Sequence, residues 1–383
     1  MSGMSDDARL VFSRAEYEDR LRAVRRAMAT RQVDVLIVDE IEHLAYVAGW
    51  HASGSRYHGC LVPADGEPVM VFRSLDEPAF LERSWLHERV CFADTEDPVD
   101  AMARTIAARG WETARIGVET DSHYLTVQTY EALRCTLRCA TFVPFPMVLR
   151  ELRLRKSPRE IDYLRQAAAI ADQAMREAMA AVSDGVNERA AAIAASSAFL
   201  RLGADTGRTG PITAGRRSGT LHGLLGDHRL TRGDVLHMEL VPSVNGYNAR
   251  LMRPTVIGPP SAEQARTAAQ LIEIQDEQIA AMKPGAVARD VDGLCRARVL
   301  AAGLRDSYDN YTGYTLGYYG AVLPPRTSDF TRAFLPTSDW VLEPGMVFHM
   351  YTGAGGMSFS ETVLVTDGGA ERLTRLERRL FSR

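Results

Sequence analysis

One junction constrains the fold of this 383-residue chain more than any other feature. The run Leu149-Arg150-Glu151-Leu152-Arg153-Leu154-Arg155-Lys156 is charged and linker-like, and Ser157-Pro158-Arg159-Glu160 follows it directly. These four residues make a helix start. The Ser oxygen accepts a free first-turn N–H, Pro at the first helical position has no N–H to leave unpaired, and Glu can reach back to the cap. Beyond them Ile161, Leu164, Ala168, Ala171, Met175 and Ala178 recur at three- and four-residue steps, which predicts a long amphipathic helix. The chain is therefore read as two domains, residues 1–150 and 151–383.

The two parts differ in pattern. Before the junction, strand-like and helix-like segments alternate. Ser13 and Glu16 open a helix, Val33 to Val38 reads as a buried strand, and further strands are expected at Cys60–Val62, Val69–Phe72 and Arg115–Glu119, with a helix over Pro98–Arg109. This is a compact α/β unit. After the junction, helices cluster (Asn187 to about Leu202, Ser261 to about Met282) and strands cluster (Val235–Val241, Met252–Ile257, Val347–Tyr351, Thr362–Thr366), the signature of an α+β layered domain.

Composition narrows the function. Hydrophobic residues at 46% and charged residues at 25% exclude a disordered chain. The 45 basic and 49 acidic residues give a net charge of −4, so no nucleic-acid partner is expected. No apolar run reaches the roughly 18–20 residues of a membrane span, so no membrane partner is expected either. The polar, acidic start has no signal-peptide layout, which makes the cytoplasm the expected location. Five scattered cysteines exclude a disulfide framework, and Cys135 and Cys139 are expected to be small, buried or half-buried side chains rather than a metal clip.

Four stretches of the second part carry a further pattern: Arg232 to Glu239, Gly246-Tyr247 through Arg253, Gly313-Tyr314-Thr315-Leu316-Gly317, and Leu342 through Glu361. Together with Lys156 to Ile161 they resemble the prolidase, methionine aminopeptidase and creatinase family. The resemblance spans almost the whole chain. It implies an α/β N-terminal domain followed by a "pita-bread" α+β catalytic domain.

Peptidases of that family hold two metal ions with five side chains: an Asp, a second Asp eleven residues on, a His in a Gly-His-Gly-type loop, and two Glu. Matched position by position, the resemblance puts Glu239 first, Arg250 at the second Asp, Tyr314 at the His, Tyr351 at the first Glu and Glu361 at the last. A guanidinium is never a metal donor. No metal and no other cofactor is therefore expected. The state is similar to the creatinase and ectoine hydrolase branches, which hydrolyse C–N bonds of small amidines without metal. Glu239, Tyr247, Tyr314, Arg253, Pro324-Pro325 and Phe348-His349 lean to the ectoine hydrolase side. Gly353-Ala354-Gly355-Gly356 and Arg217-Ser218-Gly219 leading to His222 lean to creatinase. Met252 and Arg326-Thr327-Ser328-Asp329 depart from creatinase and ectoine hydrolase respectively, which leaves the substrate open.

The resulting expectation is a metal-independent C–N hydrolase acting on a small-molecule amidine or amide. His222 is the acid–base group, since histidine is the residue type whose intrinsic pKa lies near neutrality; Glu239 is nucleophile or water-activating base; Glu361 is a second carboxylate facing the substrate. Tyr247, Arg250, Arg253, Tyr314, Arg326, His349 and Tyr351 are expected to bind substrate. His228 and His237 are read as non-catalytic. Rival readings are a metal-dependent Xaa-Pro peptidase, a non-catalytic binding protein, and a lyase or ring-closing enzyme. A homodimer is expected, with Tyr46, Trp50 and Tyr57 serving as a lid on the partner's site.

Overall fold

A computed structural model describes residues 10–320 and 326–383, so the Pro324-Pro325 pair lies outside the described residues. The contacts divide the chain into two units, the first ending at Arg153 and the second beginning at Leu154.

The first unit runs α1 (Arg14–Thr30), β1 (Val35–Val38), α2 (Ile41–Ala48), β2 (Gly59–Pro63), β3 (Val69–Arg73), α3 (Glu77–Arg83), β4 (Arg89–Phe92), α4 (Pro98–Ala108), β5 (Arg115–Val118), α5 (Val127–Thr136), β6 (Thr141–Pro144) and α6 (Val148–Leu152). Its six-stranded sheet has the order β4-β3-β2-β1-β5-β6, with β1–β5, β5–β6 and β3–β4 parallel. Ser13 and Asp97 cap α1 and α4 with their side chains. Val35, Ile37, Val69, Val71, Met102, Ile106 and Ile116 fill the space between sheet and helices, at about 1.5–3 kcal/mol for each large apolar side chain. Trp50 belongs to this unit's interior: it is buried with its ring 5.0 Å from Phe72 and 5.5 Å from Phe80. That corrects its expected part in a lid, because burial among aromatic neighbours removes it from any surface. Cys135 and Cys139, expected to be at least half-buried, are exposed at the end of α5, and all five cysteines are free.

The second unit contains α7 (Pro158–Ala180), α8 (Arg189–Arg201), β7 (Ile212–Ala214), β8 (Val235–Leu240), β9 (Ser243–Val244), β10 (Tyr247–Asn248), β11 (Leu251–Val256), α9 (Ala262–Ala280), α10 (Ala288–Ala301), β12 (Gly313–Thr315), β13 (Ala333–Phe334), β14 (Val347–Ala354), β15 (Met357–Thr366), β16 (Gly369–Arg372) and β17 (Phe381–Ser382). Ser157 and Glu160 form the full capping box on α7, and Ser261 with Gln264 forms another on α9. The sheet runs β13-β12-β14-β15-β11-β8-β7, with β16 beside β15 and β17 beside β11. α9 is pinned to it by Gln275, whose buried amide donates to the carbonyls of Met350 and Phe359, both at 3.1 Å. Among the described residues no helix is long and apolar enough to cross a membrane.

Candidate active site

Strand alternation decides which side chains meet. Successive residues of a strand point to opposite faces, so a shift of one residue moves a side chain to the other side of the sheet. In the second unit Glu239 lies opposite Met252, Met252 opposite Ser360, Ser360 opposite Tyr351, and His349 opposite both Thr362 and Tyr314. These residues form one row across β8, β11, β15, β14 and β12.

Arg250, just ahead of β11, is the centre of that row. Its Nη2 donates to Glu239 Oε1, and its Nη1 donates to the Tyr314 hydroxyl and, at 2.8 Å, to Thr327 Oγ1. Thr362 fixes the backbone at the same residue, accepting from Arg250 N at 2.8 Å and donating to Arg250 O at 3.0 Å. Burial opposes the charge of Arg250, but Glu239 and the neighbouring phenols outweigh it, and the guanidinium pKa rises. The ring of Tyr314 lies 5.2 Å from His349 and 5.8 Å from Tyr351, and His349 stacks on Tyr351 at 5.1 Å with an interplanar angle of 15°. Burial pushes both phenols above their ordinary range, so they are protonated donors at neutral pH. Burial, reinforced by the charge of Arg250, drives His349 well below the usual imidazole value, so its ring is neutral.

Three buried polar groups of this region have no partner among the described residues: Arg250 Nε and both ring nitrogens of His349 and of His237. A buried donor without a partner costs about 1–3 kcal/mol, so such groups mark where a ligand or water is to be received.

The structure thus brings together Glu239, Arg250, Tyr314, His349 and Tyr351. Arg326 precedes Thr327, which is bonded to Arg250, so the segment carrying it reaches the row. His222 lies exposed on the loop after β7, and its neighbour Leu221 packs on the cluster of Met252, Tyr314 and Tyr351, so the loop that carries it reaches the row.

Three expected site residues lie elsewhere. Glu361 pairs across the sheet with Met350 and therefore faces away from the row. It is fully buried, accepts from Arg253 Nη2 at 2.7 Å and from the Thr374 hydroxyl, and has Arg378 Nε at 3.4 Å and Arg372 Nη1 at 3.6 Å. The residue of β15 that stands in the row is Ser360, whose hydroxyl accepts from Met252 N at 2.8 Å. Arg253 is likewise sealed on the far face and places all five N–H donors: on Glu361 and on the carbonyls of Met252, Ser360, Leu376 and Glu377. Neither has a free atom to offer a substrate. Tyr247 donates its hydroxyl to Glu160 Oε1 at 2.8 Å and stacks on Tyr163, so it braces the capped start of α7.

Sequence reasoning missed Ser360, Thr327 and His237. Alternation counted outward from Tyr351 would have found Ser360. His237, two residues before Glu239 on β8, is buried and held below its usual pKa by that burial, against the pull of Glu239. Nothing in the sequence marks Thr327.

The metal pair implied by the resemblance fails on donor chemistry. The five positions now read Glu239, Arg250, Tyr314, Tyr351 and Ser360: one carboxylate, already ion-paired, with a guanidinium in the middle. Among the described residues no three His, Cys, Asp or Glu side chains converge to hold a metal ion.

Comparison with known proteins defines the class. Residues 162–367 match the model of metallopeptidase family M24, and residues 20–155 match the creatinase/prolidase N-terminal domain. The chain belongs to family M24, a family of hydrolases, and has its pita-bread catalytic domain behind a creatinase-type N-terminal domain. It is 27% identical to the ectoine hydrolase of Halomonas elongata over 402 residues, covering 97% of this chain and 98% of that one. It is 30% identical to the Xaa-Pro dipeptidase of Pyrococcus furiosus over 371 residues, covering 95% and 100%. The crystal structure of the prolidase from Pyrococcus horikoshii shares the fold, with a TM-score of 0.83 at 23% identity over 95% of this chain and all of that one.

Proposed function

We propose that this protein hydrolyses a C–N bond of a small amide or amidine metabolite without a metal ion. The observation that carries the reading is the Arg250–Glu239 ion pair, set where the resemblance puts two metal-binding carboxylates. The likeness to ectoine hydrolase over nearly the full length of both chains supports the substrate class.

In this reading Glu239 adds to the acyl or amidine carbon, or draws a proton from a water that does so. The C–N bond breaks as the amine leaves with a proton from His222. If Glu239 attacks directly, water then cleaves the acyl–enzyme, restoring the carboxylate and returning a proton to His222; in the water route the proton taken up by Glu239 passes to His222 through solvent, restoring both groups. Arg250 holds Glu239 in place through Nη2, and its buried, unpartnered Nε–H is a donor left for the charge that develops at the carbon's oxygen or nitrogen. The protonated hydroxyls of Tyr314 and Tyr351 supply further donors.

The test is turnover of ectoine and a panel of N-acylated and cyclic-amidine metabolites by chelator-treated enzyme, read by mass spectrometry. Hydrolysis of at least one member by the wild type and not by Glu239→Gln is expected, with any covalent adduct confined to the wild type. Full activity in Glu239→Gln contradicts both forms of the mechanism.

A further inference from the structure

Beside the row lies a cavity of about 250 Å³, below the roughly 300–1,000 Å³ typical of drug-sized ligands and of a size for a small metabolite. Tyr351 forms the wall it shares with the row. Gly219 and Leu221, from the loop that carries His222, form a second wall; Arg305 and Asn310 form a third; and the turn joining β14 to β15 closes it. That turn is built from glycines for a reason. Gly355 and Gly356 have φ of +58° and +77°, and a β-carbon on Gly356 would strike Ser218 Oγ. The turn can thus lie against the 218–222 loop and leave the cavity between them unfilled.

Arg305 is the one charged side chain of this lining. Its guanidinium carbon sits over the ring of Tyr308, 4.1 Å from the centroid, and Nη1 donates to Asn310 Oδ1 at 3.0 Å. A phenol face and an amide oxygen fix its position without neutralising it, and among the described residues no carboxylate pairs with it. Asn310 is held in turn: its amide donates to the Tyr351 hydroxyl at 3.2 Å and to Tyr311 O at 3.0 Å. A pre-positioned cation is therefore joined by one side chain to a phenol of the row. Two of the arginines expected to bind substrate are already paired, Arg250 with Glu239 and Arg253 with Glu361.

We propose that this cavity binds the carboxylate of the substrate through Arg305, making Arg305 a specificity-determining residue for anionic metabolites. The inference rests on the hydrolase reading of the adjoining row and extends it by naming the charge class of the substrate. A planar guanidinium with unused N–H donors matches a carboxylate two bonds at a time. A neutral analogue would leave the cation desolvated without a counter-charge.

Binding of matched pairs tests this by calorimetry: ectoine against the same cyclic amidine without its carboxylate, and N-acetyl-γ-aminobutyrate against N-propylacetamide. The wild type should bind at least one acid about 10–100-fold tighter than its neutral partner, the worth of a charged hydrogen-bonded contact. Arg305→Gln should erase that gap, and Arg305→Lys, which keeps the charge and loses the fork, should retain part of it. Circular dichroism and melting of both variants should match the wild type, since Arg305 is only half-buried. A gap that survives in Arg305→Gln, neutral members that bind the wild type as well as the acids, or no binding of either acid overturns the proposal. Turnover of the same pairs is followed separately: a gap that depends on Arg305 with no hydrolysis of any member upholds the cavity and removes the hydrolase reading.

Discussion

Replacing Glu361 with Gln keeps the volume of the side chain and removes one negative charge from a fully buried site. Arg253 then keeps its four main-chain acceptors but loses its counter-ion, with Arg378 and Arg372 also within 4 Å of the same carboxylate position. Breaking a buried pair from one side costs about 3–5 kcal/mol, because the remaining charge stays desolvated. For a cooperative unit of this size 1 kcal/mol moves the midpoint by about 2–4 °C, so the transition of the second unit should fall by roughly 6–20 °C. Calorimetry reads the shift, and kcat is measured well below the lowered midpoint, where the folded fraction is near one. There kcat should stay within about threefold of the wild type, since Glu361 faces away from Glu239 and Arg250 and lacks the 10²–10⁴-fold effect of a positioned acid–base group. An unshifted midpoint together with a hundredfold loss of kcat refutes this reasoning and returns Glu361 to the site.

Other outcomes follow from the same geometry. His222→Ala should lower kcat by about 10²–10⁴-fold with little change in melting, as expected for an exposed group that moves a proton, and added imidazole should restore part of the rate. His349 and His237 are held below their ordinary pKa, and His58 is lowered to about 4, in each case mainly by burial. Each is neutral when folded and protonated when unfolded below about pH 6.5. Their contribution to stability should therefore be level above that pH and fall as pH drops below it, by up to about 1.4 kcal/mol per pH unit for each imidazole still neutral in the fold, which for His58 lasts to about pH 4; acid titration of the unfolding free energy, compared with that of a His58→Asn variant, reads it. Independently of that geometry, the resemblance to creatinase leads us to propose a homodimer, and a monomer in sedimentation at micromolar concentration would contradict it.

The parts of the fold legible in the sequence are those with local, chemically distinct signals. Ser157 and Glu160 announce α7 because a capping box is a side-chain arrangement, and the apolar spacing that follows reads its buried face. α10 was not expected: Val287 precedes it with no capping side chain, and Gly293 interrupts its interior. α2 likewise starts at Glu40 without a side-chain cap. In the site, Glu239, Arg250, Tyr314 and Tyr351 stand together as the resemblance to the family's motifs implies. Glu361 was misplaced by a single residue, and in a strand one residue is the difference between two faces. Its neighbour Ser360 carries no charge to draw attention. Arg253 and Tyr247 rest on the resemblance to ectoine hydrolase, and only packing shows that their donors are taken.

In the proposed mechanism Arg250 occupies the place of the metal pair, and the chemistry belongs to Glu239 and the donors around it. Metal analysis of the purified enzyme, made alongside turnover of a C–N substrate before and after chelation, tests it most directly. Substoichiometric Mn, Co and Zn with a rate unchanged by chelator is the predicted result. One or two metal ions per chain, with activity lost on chelation and regained on adding them back, would contradict it.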